Sequence, residues 1–269
     1  MFLEYGYGNT VQKVRIAADK LLCQLIPSSD NSGGDITPES EAREIGRALG
    51  SPIGSARLKD IVKPGERVAV ITSDITRPLP TYKIILPVLN ELNLAGIPDS
   101  DIVIISALGS HRRQTAEEHK KLVGAECFGR VKVIDSDPDD CVHLGQTSRG
   151  TPVDITRCAA EADRRILLGN IEFHYFAGYS GGFKALMPGV STPEAIRCNH
   201  SHMAEPGAFA GKLEGNPVRE DIEEAGRMIG ADFILNVVLD SHKNIVKAFA
   251  GDPVKAHREG AAFLRNMYG

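Results

Sequence analysis

The sequence predicts an α/β fold in which a mostly parallel sheet carries helices on both faces. Short runs rich in Val and Ile recur along the 269 residues, and their continuous apolar character is typical of strands buried on both faces. Longer amphipathic stretches lie between these runs and indicate helices. The predicted strands are 68–73, 102–107, 131–134, 166–168 and 233–239, and the predicted helices are 38–49, 82–94, 116–123, 217–229 and 253–267.

Local signals support the individual elements. Residues 38–49 follow Thr37, and Glu41 lies near the position that a capping box requires. In residues 82–94 the apolar side chains recur at helical spacing, at Ile85, Leu86, Leu89 and Leu92. The polar stretch 28–34 (Ser-Ser-Asp-Asn-Ser-Gly-Gly) is typical of a loop. We therefore expect an N-terminal β-rich and helical segment over 1–50, an α/β body over 51–251 and a closing helix over 252–269.

Composition excludes several classes of protein. A net charge of −4 without any basic block argues against nucleic acid or an anionic membrane as a partner. The five cysteines form no C-x-x-C pair, so neither a disulfide framework nor a structural zinc site is indicated. The N-terminus lacks the pattern of a signal peptide, and no stretch approaches the roughly 20 apolar residues of a membrane-spanning helix. These features predict a cytoplasmic protein.

The first motif, Ser-Asp-Ile-Thr-Arg-Pro at 73–78, closes a predicted strand. In parallel α/β sheets, ligands bind at the carboxyl ends of the strands. Asp74 and Arg77 lie three residues apart at such an end, where the guanidinium fork suits an anionic or hydroxylated ligand. The alternative is that Asp74 caps the following helix and Arg77 pairs on the surface.

The second motif, Gly-Ser-His-Arg at 109–112, follows the next predicted strand. Gly109 permits a sharp turn, and Ser110 or Thr115 can cap the helix that comes after it. His111 then stands at the end of the strand, and an imidazole is suited to proton transfer near neutral pH. An exposed histidine without a catalytic role is the alternative.

The third motif is a glycine-rich segment at 170–189 that follows the predicted strand 166–168. Glycines surround Ser180, and the amides of such a loop are expected to cradle a phosphate. Lys184 follows within reach of the same ligand, as a cation or as a nucleophilic amine. A purely structural turn is the alternative, but it does not explain why His174 and Lys184 flank the glycines, which are Gly178, Gly181 and Gly182.

Histidines elsewhere carry weaker signals. His200 and His202 lie near the end of a helix that Thr192-Pro193-Glu194 opens, and two positions apart on a helix do not share a face. One of the two is therefore a candidate metal ligand, whereas a paired site is disfavoured. The histidines without a motif are expected to be solvated: His119, His143, His242 and His257.

The three motifs, in this order, resemble those of the nickel-dependent lactate racemase family. The likeness covers about 53–203 and extends more weakly through the closing helix. It implies a nickel-pincer nucleotide (pyridinium-3-thioamide-5-thiocarboxylic acid mononucleotide with nickel), joined covalently to the lysine that matches Lys184. His200 matches the histidine that completes the nickel coordination, and His111 and His174 match the two catalytic histidines.

The resemblance also implies the reaction. Hydride passes from the α-carbon of a 2-hydroxy acid to the cofactor while a histidine takes the hydroxyl proton, and the planar oxo acid then receives hydride on its other face. Two mirror-related substrates need a base on either side, which explains the pair of histidines. Arg77 matches a residue near the substrate carboxylate, and the expected cofactor contacts are Asp74, Thr76, Gly178, Ser180, Gly181, Gly182, Lys184 and Pro188.

One departure concerns length. Family members that racemise lactate continue into a second α/β domain after a helix like 253–267, and this domain contributes substrate contacts. We therefore expect this C-terminal domain and cofactor-maturation proteins as partners, and little racemase activity from the 269 residues alone. Two alternatives stay open: a racemase of another 2-hydroxy acid, and a non-catalytic nucleotide- or phosphate-binding module.

Overall fold

The computed structural model describes residues 1–8, 10–23 and 36–268, so the predicted loop at 28–34 lies outside the described residues. The chain divides into two compact units, Met1–Asn31 and Ser32–Gly269. No helix among the described residues combines the length and the apolar character needed to cross a membrane.

The first unit contains a β-hairpin. Strands β1 (Phe2–Tyr7) and β2 (Thr10–Arg15) pair antiparallel, and a short 3-10 helix follows at Ala18–Lys20. Nearly all of its strand residues are exposed, and Leu3 is the exception. The hairpin is the β-rich N-terminal segment that the sequence predicts.

The second unit is the predicted α/β body. Its strands are β3 (Val68–Ser73), β4 (Ile102–Ala107), β5 (Lys132–Asp135), β6 (Cys141–Gln146), β7 (Pro152–Thr156), β8 (Arg164–Asn170), β9 (Phe173–His174), β10 (Gly178–Tyr179), β11 (Phe233–Leu239) and β12 (Ile245–Gly251). Its helices are α1 (Pro38–Gly50), α2 (Leu58–Ile61), α3 (Thr81–Leu94), α4 (Ala116–Val123), α5 (Ala125–Arg130), α6 (Arg157–Ala160), α7 (Pro193–Ser201), α8 (Pro217–Ile229) and α9 (Lys255–Tyr268).

Six strands form the central sheet in the order β12-β11-β8-β3-β4-β5. All neighbours are parallel except β12, which returns antiparallel along β11. Along the chain, β3 is the first strand of this sheet. Strands β4 and β5 follow on one side of β3, and β8, β11 and β12 follow on the other, so the strand order reverses between β3 and β8. The predicted α/β class with a mostly parallel sheet is confirmed.

Each face of the sheet packs against its own hydrophobic core. In β3 alternate residues face opposite sides, so Val68 and Val70 join one core and Ala69 and Ile71 join the other. The first core includes Ile45, Leu58, Ile85 and Leu89 from the helices before β4. The second includes side chains from the glycine-rich segment and from α8, among them Tyr179, Phe183, Val218 and Ile222.

Strands β6, β7, β8 and β12 deviate from the prediction. In the β6–β7 hairpin no residue of β6 is buried, so this strand carries no apolar run that would signal a buried strand. Strand β12 lies at the edge of the sheet and mixes Lys and Gly with apolar residues. Strand β8 extends beyond 166–168 at both ends, where Arg164, Arg165 and Asn170 hide it from a search for apolar runs.

Helix α1 corrects two expectations. The capping partner of Thr37 is Ser40, whose amide donates to the Thr37 hydroxyl at 3.2 Å. Glu41 is buried instead, and its carboxylate accepts from Lys83 Nζ at 2.6 Å and from the amide of Ile245 at 2.7 Å. Because α1 packs against β12 and α3, it belongs to the α/β unit and not to the N-terminal segment.

Candidate active site

A cavity of about 170 Å³ opens at the carboxyl ends of β3, β4 and β8. The order of strands reverses at this place, and such a switch point leaves a crevice between the loops on either side. All three motifs reach it. The predicted site residues that line the cavity are Arg77, His111, His174, Ser180, Gly181, Gly182, Lys184, Pro188 and His200.

His111 forms a hydrogen bond with the buried carboxylate of Asp74. Its Nδ1 lies 2.7 Å from Asp74 Oδ2, and Thr76 Oγ1 donates to Asp74 Oδ1 at 2.9 Å. Asp74 is only 2% exposed, so its carboxylate accepts the Nδ1 proton and leaves the Nε2 lone pair of neutral His111 available. Asp74 and Thr76, expected to contact the cofactor, therefore support His111 and do not line the cavity.

The loop that carries His111 is fixed by Gln114. The Gln114 side chain accepts from the amide of Ile75 at 2.8 Å, and its backbone N–H donates to Asp135 at 2.9 Å. The first bond ties the loop to the first motif, and the second ties it to the end of β5. Thr115 provides the capping box of α4, so the predicted cap is Thr115 and not Ser110.

His174 and Lys184 form a direct hydrogen bond. The Nδ1 atom of His174 accepts the amide proton of Ala177 at 3.3 Å, so the proton of the neutral ring lies on Nε2. Nε2 is 3.1 Å from Lys184 Nζ, and an amine that receives this proton must offer a lone pair. This arrangement of hydrogen bonds favours an uncharged lysine.

Burial acts in the same direction on both groups. The pKa of Lys184 is lowered to about 7, mainly by burial and in addition by the positive charges of Arg219 and Arg77, while Glu172 acts in the opposite direction. Burial also lowers the pKa of His174 to about 3, again helped by nearby positive charges. An unprotonated lysine amine at neutral pH is a nucleophile.

The glycine-rich loop uses its amides within the protein. The amide of Gly182 donates to Asn236 Oδ1 at 2.7 Å, and that of Ser180 donates to Glu172 O at 2.9 Å. The amides of Ser180 and Gly182 are therefore not free to cradle a phosphate, contrary to the expectation for these two residues. Gly178 lies outside the cavity wall and serves close packing, since a Cβ there would collide with the carbonyl oxygen of Lys212.

Two buried side chains, Arg219 and His257, donate hydrogen bonds to backbone carbonyl oxygens of this loop. Arg219 is fully buried and donates to the carbonyl oxygens of Ala177, at 3.2 Å, and Tyr179. His257 donates from its Nε2 to the carbonyl oxygen of Ser180 at 2.8 Å. The expectation of a solvated His257 is therefore wrong, because only 2% of the residue is exposed.

The other histidines expected to be solvated differ among themselves. His119 is also largely buried, and its Nε2 lies 2.8 Å from Asp135 Oδ1. His143 and His242 are exposed, as expected.

His200 presents one ring nitrogen toward the cavity. Its Nδ1 donates to the carbonyl oxygen of Ile196 at 2.8 Å, which fixes the tautomer and leaves the Nε2 lone pair free. The ring of Phe176 contacts both His200 and His174 edge-on, at centroid distances of 5.1 and 4.6 Å. Burial lowers the pKa of His200. His202 instead pairs with Glu205 at 2.5 Å, so of the two histidines only His200 lines the cavity.

Several residues of the site were not singled out from the sequence. Glu172 and Asn170 line the cavity, although both lie within or beside the third motif. Asn236 interrupts the apolar run of β11, and a polar residue in a buried strand is a signal that it bonds something. Arg219 carries no comparable signal, because charged residues are common in amphipathic helices such as α8.

Comparisons with known proteins agree with this geometry. The family model for the lactate racemase N-terminal domain matches residues 7–211. The lactate racemases of Lactiplantibacillus plantarum and Thermoanaerobacterium thermosaccharolyticum are each 36% identical over 233 residues, which is 85% of this chain and 55% and 54% of theirs. The chain therefore spans about half the length of these relatives.

Solved structures support the same assignment. The lactate racemase apoprotein from Thermoanaerobacterium thermosaccharolyticum superimposes with a TM-score of 0.82 at 32% identity, over 98% of this chain and 62% of that one. A Thermotoga maritima protein shares the fold with a TM-score of 0.67 at 20% identity, over 86% of this chain and 59% of its own. The family model matches three quarters of the chain, and the motifs of the family surround the cavity. The chain therefore belongs to the lactate racemase N-terminal domain family.

Proposed function

We propose that this chain is the cofactor-binding part of a racemase that acts on lactate or a related 2-hydroxy acid. The observation that carries the proposal is the meeting of His111, His174, Lys184 and His200 in one cavity. The two relatives at 36% identity are named lactate racemase, which supports this substrate class. The proposed cofactor is the nickel-pincer nucleotide, attached at Lys184.

The residues present fit such a cofactor. Lys184 offers a nucleophilic amine for covalent attachment, and His200 offers a free imidazole nitrogen, a ligand type that suits nickel. No group of three or more His, Cys, Asp or Glu able to hold a metal occurs in the described ranges, so the cofactor would supply the other donors. When bound, the cofactor accepts and returns a hydride.

The two histidines are placed for proton transfer. We assign His111, held by Asp74, as the base for one enantiomer, with Nε2 as the accepting atom. We assign His174 the corresponding role for the other hand, which requires its ring proton to move from Nε2 to Nδ1 and Lys184 Nζ to leave Nε2. Each then acts as the acid when the opposite enantiomer is formed.

Arg77 is proposed to orient the substrate. It is exposed at the cavity wall and forms no ion pair within the described ranges, so its guanidinium is free to bind a carboxylate. Asp74 does not neutralise it, because that carboxylate is engaged by His111 and Thr76. The alternative of a phosphate-binding module is disfavoured, since the amides of Ser180 and Gly182 are already bonded.

The test is production together with the cofactor-maturation proteins, followed by intact mass and nickel analysis. We expect a covalent mass addition that maps to Lys184 and disappears in Lys184→Ala. His200→Ala should keep the organic addition and lose nickel, because it removes only a metal ligand. Addition to Lys184→Ala, or nickel retained at wild-type level by His200→Ala, would contradict these assignments.

A further inference from the structure

The amine of Lys184 differs from the amines of lysines that form ion pairs with carboxylates. Lys83, for example, donates to the buried carboxylate of Glu41 at 2.6 Å and is held as a cation. In the described part of the chain no carboxylate lies within ion-pair distance of Lys184 Nζ, and its neighbour is the Nε2–H of His174. The lone pair of Nζ is therefore in place inside the cavity.

Charges around Lys184 preserve this state. The buried guanidinium of Arg219 lies behind the loop and forms no ion pair with any described carboxylate; its Nε and Nη2 donate to backbone carbonyl oxygens, and its Nη1 has no partner among the described residues. Arg77 of the first motif lines the same cavity as Lys184, and His174 of the third motif lies within hydrogen-bond distance of Lys184 Nζ. Glu172 is the acidic side chain that lines the cavity, and it is exposed. Positive charge thus outweighs negative charge around the amine.

We propose that the chain without cofactor captures 2-oxo acids by forming an imine at Lys184. An amine lone pair and an unpaired guanidinium in one cavity select a ligand that has both a carbonyl group and a carboxylate. Arg77 binds the carboxylate, which leaves the adjacent carbonyl carbon to Nζ. A carbonyl compound without a carboxylate lacks the first contact.

The chemistry is a condensation without oxidation. Nζ adds to the carbonyl carbon, and both of its protons pass in turn to the carbonyl oxygen. The first gives the carbinolamine hydroxyl, and the second lets this hydroxyl leave as water while the C=N bond forms. His174 and His111 line the same cavity and can relay these protons. Hydrolysis reverses every step, so the adduct is in equilibrium with the free acid.

This activity goes beyond the proposed function because it needs no cofactor. It rests on the proposed function in one respect only. If the cofactor also attaches at Lys184 Nζ, the cofactor and the 2-oxo acid cannot be attached at the same time. A 2-oxo acid would then occupy the site until the cofactor displaces it.

The experiment uses the purified full chain made without maturation proteins. The chain is mixed with pyruvate and sodium cyanoborohydride, which reduces an imine to a stable amine, and then analysed by intact mass and peptide mapping. We expect one reduced adduct per chain on Lys184, with Lys83 in the same digest as the internal control. Lys184→Arg should remove the adduct. Labelling spread over surface lysines, or none at Lys184, would overturn the proposal.

A second comparison tests the role of Arg77. Arg77→Met should reduce the labelling of Lys184 by pyruvate about fivefold more than it reduces the slow labelling by acetone, because only pyruvate has a carboxylate for Arg77 to bind. Arg77 is exposed, so this variant is expected to fold. Equal labelling by pyruvate and acetone in the wild type would overturn the inference. A chain that captures pyruvate but never acquires the nickel-containing adduct would overturn the proposed function alone.

Discussion

His257 donates to the carbonyl oxygen of Ser180, and its ring lies beside Gly182 in the loop that leads to Lys184. Burial is the main reason that the pKa of His257 lies well below the usual value for histidine. The residue is therefore neutral in the folded protein. Its neighbour Arg219 adds a positive charge that acts in the same direction.

A pH dependence of stability follows from this histidine. The unfolded chain binds a proton at His257 below about pH 6.5 and the folded chain does not, so the free energy of unfolding falls as pH decreases. Its contribution is fully present above about pH 6.5 and is lost below it, at up to about 1.4 kcal/mol per pH unit. His257→Gln keeps a donor and should flatten the slope between about pH 6.5 and 5, as urea unfolding would measure.

The exposed His242 provides the matched control, because His242→Gln alters no buried contact and should keep the wild-type slope. A wild-type slope in His257→Gln as well would show that the buried imidazole does not set the acid sensitivity.

The Asp74–His111 pair makes a second prediction about single residues. The charged carboxylate of Asp74 should hold His111 as the Nδ1–H tautomer, which ¹⁵N NMR detects in the chain without cofactor. Asp74→Asn removes the charge and should weaken this preference by about tenfold. Thr76→Val keeps the carboxylate and should retain the tautomer. An Nε2–H ring in the wild type would contradict the role proposed for His111.

Among the helices, α8 supports two parts of the site, the glycine-rich segment and α7. Arg219 holds the glycine-rich segment, and the buried Asp221 accepts from Thr151 at 2.7 Å and from Asn199 at 2.7 Å. Asn199 immediately precedes His200 in α7. The position of the proposed nickel ligand therefore depends on a polar network that lies behind the cavity.

Gly226 of α8 gives a prediction that opposes helix propensity. Alanine normally stabilises a helix relative to glycine, but a Cβ at position 226 would collide with the ring of Phe183, the neighbour of Lys184. Gly226→Ala should therefore destabilise the protein by about 1–3 kcal/mol. Gly46 of α1 has open space around it, so Gly46→Ala should stabilise by about 0.5–1 kcal/mol.

Chemical denaturation of both variants beside the wild type measures the two effects. If Gly226→Ala stabilised the protein as much as Gly46→Ala does, the positions of Phe183 and Lys184 would not depend on close contact with α8.

At the scale of the whole molecule, the chain corresponds to about half of each related lactate racemase. The cavity has one candidate for the substrate carboxylate, Arg77, and an exposed arginine–carboxylate contact is worth only about 0.2–1 kcal/mol. Hydride transfer also benefits from exclusion of water by a second wall.

We therefore expect the cofactor-loaded 269-residue chain to interconvert D- and L-lactate at least about 100-fold more slowly than its fusion to the C-terminal half of a related lactate racemase. The same fusion with Lys184→Ala is the control and should be inactive. Equal turnover by the chain and the fusion would show that the chain contains all the necessary substrate contacts.

The sequence by itself determined the α/β class, the helices with strong periodicity and the segments that surround the cavity. Periodicity is a local property, so α4 and α8 were predicted at their observed bounds. Parallel strands align their carboxyl ends, so motifs that follow β3, β4 and β8 must meet at one edge of the sheet. For this reason His111 and Lys184 could be placed together from the sequence.

Only the tertiary structure decided which groups support these residues. Asp74 bonds His111, Asn236 takes the amide of Gly182, and His257 holds Ser180 across 77 residues of chain. No local pattern encodes such contacts, because each partner is chosen by how the helices pack on the sheet. Burial is likewise a property of the assembled core, so the lowered pKa of Lys184 could be inferred only when the fold had buried its amine and placed Arg219 near it.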